Sequence, residues 1–207
     1  ISCPIVFSSI LIFLTAFGCR YSWNSFFAAL HRIKIRETLI PPPVLPAHAP
    51  TNIRSTRIVL DKAGHWLKSV LEKENVETEG MLLDENYFTT LAFVNVDKNG
   101  ERTFSFARKP GADTKMEKEE MDVDILDKTH IFHVGSLSLT EQPARDTTHY
   151  AIRRAKEKGS IISYDPNYRA SLWKDEETAK KQMRSLVSYV DIMKISDEET
   201  KLLTDKE

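Results

Sequence analysis

Ile161-Ile162-Ser163-Tyr164-Asp165-Pro166-Asn167-Tyr168-Arg169 sets a short apolar run against an abrupt polar turn. The first four residues suit a buried strand, and Pro166 then fixes φ and removes a backbone donor, so the chain must leave a sheet there. Immediately upstream, Thr147 to Lys158 has helical spacing and ends at Gly159, where a left-handed cap is easiest for glycine. Further out lie a second apolar segment, Ile131-Phe132-His133-Val134-Gly135, a helical stretch from Glu176 to Val187, and a third strand candidate, Val190 to Ile195. Strands alternating with helices predict βαβ units, and therefore an α/β fold whose parallel sheet carries helices on its faces.

Toward the amino terminus the pattern changes. Lys115 to Asp127 is charged and is expected to begin as helix, while Tyr87 to Val96 reads as a strand rich in β-branched and aromatic residues. Asp97-Lys98-Asn99-Gly100 supplies the positive φ angles of a tight turn, and Thr103 to Phe106 alternates as the returning strand. Such a hairpin interrupts the βαβ rhythm and can stand apart as a lid. Gly64 to Leu71 has the apolar spacing of a helix.

Residues 1–58 differ from the rest: they hold six of the 29 Lys and Arg but one of the 30 Asp and Glu, Glu37. The apolar stretch from Ile5 to Phe17 is shorter than the roughly 20 residues that span a bilayer, so no transmembrane helix is expected. It resembles a signal-peptide core, with Cys19 near a lipoprotein-like site, yet no basic segment precedes it. Export remains an alternative resting on Ile5 to Cys19 alone. Pro41, Pro42, Pro43, Pro46 and Pro50 read as extended linker. Over the whole chain the composition, 41% hydrophobic and 29% charged, is that of a protein able to bury a core. A net charge of -1 gives no general attraction to nucleic acid or an anionic membrane, so neither is expected as partner. With Cys3 and Cys19 both near the start, no disulfide framework or paired metal motif runs through the body, consistent with a reducing, cytoplasmic setting.

Ligands of open α/β sheets gather beyond the carboxyl ends of the strands. Three places there carry chemistry. Arg108 to Asp113 joins a cation, a flexible turn and a carboxylate, or is merely a solvated hairpin end. Asp165, Asn167 and Arg169 offer a carboxylate, an amide and a forked cation suited to hydroxyls or phosphate, or simply shape a turn. Lys194 to Glu199 places Ser196 as a helix N-cap with Glu199 at the reciprocal position, which capping alone would explain. His130 and His133 flank a strand without partners at ligand spacing and read as structural, and no Walker-type glycine loop occurs.

Taken in order, these places resemble the ribokinase-type carbohydrate kinases of the PfkB family, most closely the bacterial fructokinases. The match runs through Thr89 to Val94, Arg108 to Asp113, Ile131 to Leu139, Ser163 to Arg169 with Leu172-Trp173, and Lys194 to Glu199 with Leu202-Leu203-Thr204. The resemblance implies a ribokinase-like three-layer α/β/α sandwich with a small β lid, of which residues 59–207 would be the central part. It implies that Thr90, Arg108, Asp113 and Asp165 face the sugar, with fructose the expected one. It implies too that Asn167, Arg169, Lys194, Ser196 and Glu199 face ATP, Glu199 also reaching Mg2+ through water. Serine stands at Ser196 where the family pattern has Asn-x-x-Glu. A homodimeric parent is a further implication.

The same resemblance implies that the catalytic aspartate, in a Gly-Ala-Gly-Asp segment, lies beyond the residues of this chain, so the chain alone is expected to be inactive. The family's Gly-Glu and Asn-Pro-Gly-Gly segments have no counterpart in residues 1–58, which contain one glycine and no aspartate. Those residues are expected to be foreign to the kinase sequence, through a shifted frame or a wrong join. Finding no Gly-Gly-Ala-Pro segment in any frame of the coding DNA would refute that hypothesis. Kinases of 2-keto-3-deoxygluconate or another ketose, and a non-catalytic binding module on the same scaffold, are the alternatives.

Overall fold

The computed structural model describes residues 5–8, 52–59, 61–74, 76–87, 89–99, 102–108 and 111–206. Among these residues the main sheet is parallel and has seven strands. They are β1 (Ile5–Ser8), β2 (Asn52–Val59), β3 (Val76–Glu77), β4 (Met81–Asp84), then, after a separate hairpin of β5 (Leu91–Val96) and β6 (Arg102–Ala107), β7 (Ile131–Gly135), β8 (Ile161–Asp165) and β9 (Ile192–Met193). The order is β3-β2-β1-β7-β8-β9, with β4 paired alongside the second half of β2. The hairpin is antiparallel, with Phe93 opposite Ser105 and Val94 opposite Phe104.

The core forms where β7 and β8 run in register, Phe132 beside Ile162 and Val134 beside Tyr164, all four side chains fully buried. Against them pack α3 (Ala144–Glu157), through Ala151, Ile152 and Ala155, and α4 (Glu176–Val187), through Ala179, Met183 and Leu186. These are helical spacings of three and four residues, which put the apolar positions on one face. Helix α1 (Lys62–Lys73) lies earlier in the chain, capped by Asp61 and burying Gly64, Leu67 and Leu71. The short α2 (Val123–Lys128) and the final α5 (Asp197–Thr204) complete the helices among the described residues.

Several expectations are shortened or shifted. The β5 strand starts at Leu91, not Tyr87. Between Lys115 and Asp127 the chain makes a short 3-10 turn and only then α2, because Asp122 caps a fresh helix start through the amides of Asp124 and Ile125. Helix α3 begins three residues before Thr147, whose hydroxyl donates to the Met116 carbonyl at 2.8 Å and so sits inside the helix without an unmet donor. The third strand contracts to Ile192–Met193, yet Lys194 still donates its amide to the Tyr164 carbonyl, extending the contact by one residue. Strands β2, β3 and β4 had no counterpart in the sequence reading, and β1 falls inside the apolar stretch that was read as a possible signal core. Residues 9–51, including the rest of that stretch and the prolines, lie outside the described residues. Among the described residues no helix is long and apolar enough to cross a membrane.

Candidate functional site

The carboxyl ends of β7 and β8 meet directly. Ser136, just after β7, donates its hydroxyl and its amide to the carbonyl of Pro166, just after β8, the hydroxyl bond being very short. The next residues wind into a 3-10 turn, Leu137–Leu139, which Arg145 of α3 fastens by donating to the carbonyls of Leu139 and Thr140 at 2.7 and 3.0 Å. The turn meets Arg108 through the Leu137 carbonyl, and Ser136 just before it meets Pro166 in the other candidate segment, so this stretch of chain links the two.

On one side stands Arg108, at the end of β6 and buried. Four of its N–H donors are engaged: Nε and Nη2 on Asp113 Oδ2 at 2.9 and 2.5 Å, Nη2 also on the Leu137 carbonyl at 2.9 Å, and Nη1 on Thr140 Oγ1 at 2.8 Å. The other oxygen of Asp113 accepts from Thr90 Oγ1 at 2.6 Å. Gly111 makes this closure possible, since a Cβ there would lie 2.7 Å from the Arg108 carbonyl, from Asp113 Oδ1 and from Thr90 Oγ1. Thr90, Arg108 and Asp113 thus form one closed cluster, whereas Asp165, grouped with them by the resemblance, stands apart on Lys194.

On the other side, the turn after β8 runs through Asn167, which adopts the left-handed φ of 45°. Glu199 of α5 is buried and holds this turn: Oε1 accepts the Tyr168 amide at 2.7 Å, while Oε2 accepts the amide and the hydroxyl of Ser196 at 2.9 and 3.0 Å. The reciprocal capping box expected of Ser196 and Glu199 is therefore formed, and the same carboxylate does a second job across the site. Lys194 donates to Asp165 Oδ2 at 2.8 Å, leaving Oδ1 buried without a partner. Arg169 donates Nη1 to the Tyr168 carbonyl at 2.8 Å and lies over the Phe104 ring, 5.1 Å from its centroid, with Nε buried and unpartnered. Burial lowers the Arg169 pKa against the opposing pull of the Glu199 and Asp165 carboxylates. Burial first, then the same two carboxylates, push the Tyr164 phenol far above its usual range.

Between the hairpin and the body opens a cavity of about 670 Å³. Leu91, Phe106, Ala107 and Arg108 line it from the hairpin, Asp61 and Ala63 from the start of α1, and Thr89, Glu141, Ser171 and Leu172 from the connecting turns. Asp61 and Glu141 were not singled out from sequence. The only signal for Asp61 was its place ahead of a helical stretch, and Oδ1 of Asp61 does cap the Gly64 amide at 2.7 Å. His133, read as structural, bonds Ser163 across β7 and β8 at 3.0 Å. Among the described residues no three His, Cys, Asp or Glu side chains converge as a metal site.

The family model of the pfkB family carbohydrate kinases matches residues 58–207. Fructokinase-2 of Oryza sativa subsp. japonica is 42% identical over 144 residues, which cover 70% of this chain and 43% of that protein. The fructokinase of Xylella fastidiosa with bound ATP is similar in structure, with a TM-score of 0.69 and 32% identity over 74% of this chain and 47% of that one. A fructokinase of Vibrio cholerae, bound to fructose, ADP and calcium ion, gives 0.68 and 29% over 75% of this chain and 50% of that one. The chain spans less than half the length of the curated relatives it matches.

Proposed function

The chain belongs to the pfkB family of carbohydrate kinases, with part of the ribokinase-like α/β fold and its β lid, and from that we propose that it supplies the sugar and phosphate side of an ATP-dependent ketose kinase. Fructose is the sugar best supported, being the substrate in the names of the relatives and the ligand in one neighbour. In the proposed reaction a sugar hydroxyl oxygen attacks the γ-phosphorus, the bond to ADP breaks, and the hydroxyl proton passes to a base. Positioning and charge neutralisation dominate such a transfer.

The observation that carries this reading is that the cavity's anion-binding features are already answered by the chain's own carboxylates. Arg108 is paired with Asp113, and the N-terminus of α1 is capped by Asp61. An acidic sugar would meet Asp61, and Glu141 with Lys115 3.8 Å from its Oε2, and no unengaged cation stands among the described lining residues, whereas the hydroxyls of a neutral ketose can donate to both carboxylates. That favours fructose over 2-keto-3-deoxygluconate. In this reading Thr90, Arg108, Asp113 and Asp165 shape the sugar side, while Asn167, Arg169, Lys194 and Ser196 face the phosphates.

Magnesium, which the family implies, fits Glu199 only at a remove, since both its oxygens already accept bonds; contact through water is the form consistent with this. The ion would supply neutralisation of phosphate charge. The 207 residues contain no Gly-Ala-Gly-Asp segment, so the reading assigns no base here and expects this chain alone to turn over little or no ATP. A cytoplasmic setting and a homodimeric parent belong to the same proposal.

Calorimetric titration of the chain with fructose and with 2-keto-3-deoxygluconate tests it. Fructose should bind at least roughly tenfold more tightly, the scale of one unfavourable charge contact. Equal affinity, or preference for the acid, would overturn the neutral-sugar assignment.

A further inference from the structure

Arg169 is held unlike any other cation of the site. It makes one hydrogen bond, to the Tyr168 carbonyl, and lies on the face of Phe104. Of the nearby carboxylates, Glu199 is engaged by Tyr168 and Ser196 and Asp165 Oδ2 by Lys194, while Asp165 Oδ1 makes no hydrogen bond to Arg169 or to any other group. An acceptor holds a guanidinium by occupying its N–H donors; an aromatic face attracts the charge through its quadrupole and occupies none.

Phe104 is built to offer that face. It sits in the middle of β6 opposite Val94, on the half-buried side of the hairpin, and stacks on Phe106 at 6.3 Å with 13° between the rings. Phe106 in turn lines the cavity. We infer that Phe104 is a positioning residue, whose ring holds Arg169 with the donors beyond the one spent on the Tyr168 carbonyl left for the oxygens of a phosphoryl group, and so ties the hairpin over the sugar cavity to the turn after β8. The inference rests on the reading of Arg169 as a phosphate contact. It adds a residue that touches neither sugar nor nucleotide in that reading and acts through another side chain.

The test uses the 207-residue chain, ATP as the probe, and three variants. In nitrogen-15 NMR spectra the Arg169 Nε–H resonance, assigned by its loss in Arg169→Lys, should carry a ring-current shift that disappears in Phe104→Leu and persists in Phe104→Tyr. ATP affinity by calorimetry should fall roughly 3- to 30-fold in Phe104→Leu, the range of a cation–π contact from exposed to desolvated, and recover in Phe104→Tyr. Phe93→Leu, on the exposed face of the hairpin, should change neither readout. Unchanged ATP affinity in Phe104→Leu, with the ring-current shift gone, would overturn the positioning role and leave the phosphate reading standing. Failure of the unmodified chain to bind ATP would overturn the phosphate reading and the inference with it.

Discussion

Arg108 and Arg169 lie on opposite sides of the turn after β7, and the protein treats them in opposite ways. Arg108 is buried with four donors on Asp113, Thr140 and Leu137. Arg169 is half-buried with one hydrogen bond, an orphaned Nε and a ring beneath it. A saturated buried cation contributes shape and rigidity, because removing any partner leaves a charge without compensation. An unsaturated one contributes little to folding and keeps its donors for something that arrives later. Within one site, the count of engaged N–H groups separates the arginine that builds the wall from the arginine that waits at it.

The sharpest way to break this contrast is Asp113→Ala. With side chains only 5% and 10% exposed, the pair is buried, so the substitution should cost about 3–5 kcal/mol of unfolding free energy, read from urea denaturation. A loss below about 1 kcal/mol would mean that Arg108 finds water or another partner, and the wall reading would fail. Gly111→Ala attacks the same cluster through sterics. Three atoms stand 2.7 Å from the added Cβ and one of them is backbone, so a loss of about 1–3 kcal/mol is expected by the same measurement.

How far the sequence already disclosed this can be judged residue by residue. The βαβ rhythm was visible because β7 and β8 are short apolar runs, with glycine or proline punctuating their ends and helical spacing between them. Phe132, Val134, Ile162 and Tyr164 do form the core. The Ser196 and Glu199 capping box was legible from spacing alone, since a cap is local. That Glu199 also holds the Tyr168 amide, 31 residues away, could not be read, because nothing local encodes a contact closed by the sheet. The grouping of Thr90 with Arg108 and Asp113 came from the family resemblance, which set Asp165 with them as well, while the engagement of Arg108 depends also on Thr140 and Leu137, which no local pattern marks. Asp61 and Glu141 escaped for the same reason: single carboxylates at turn positions become cavity lining only when the hairpin folds over them. Strands β3 and β4 are two and four residues long, below the length at which alternation can be recognised.

Glu199→Ala sharpens the comparison from the side of Arg169. It removes the acceptor for the Tyr168 and Ser196 amides at once, and should lower stability by about 1–2 kcal/mol, the scale of a lost cap together with one unmet buried donor. Glu199→Gln, which keeps one acceptor oxygen and so can serve only one of the two amides, should fall between Glu199→Ala and the unmodified chain. Equal stability of all three would show that water replaces the carboxylate and that the turn is held by Pro166 and Ser136 instead.

Arg169→Ala should have the smallest effect on stability and for that reason decides most. The substitution gives up one hydrogen bond to a neighbouring carbonyl and one cation–π contact, which together favour the folded state by about 1–2 kcal/mol. Against this it relieves the partial burial of a charge whose Nε has no acceptor, a penalty of similar size and opposite sign. The two nearly cancel, so urea denaturation should give a change within about 0.5 kcal/mol of zero, the range of an ordinary surface substitution. ATP binding by the same protein should meanwhile weaken by roughly tenfold or more, the scale of a lost charge-assisted contact. A stability loss as large as that of Asp113→Ala would place both arginines in the wall, and the distinction between a saturated and a waiting cation would dissolve.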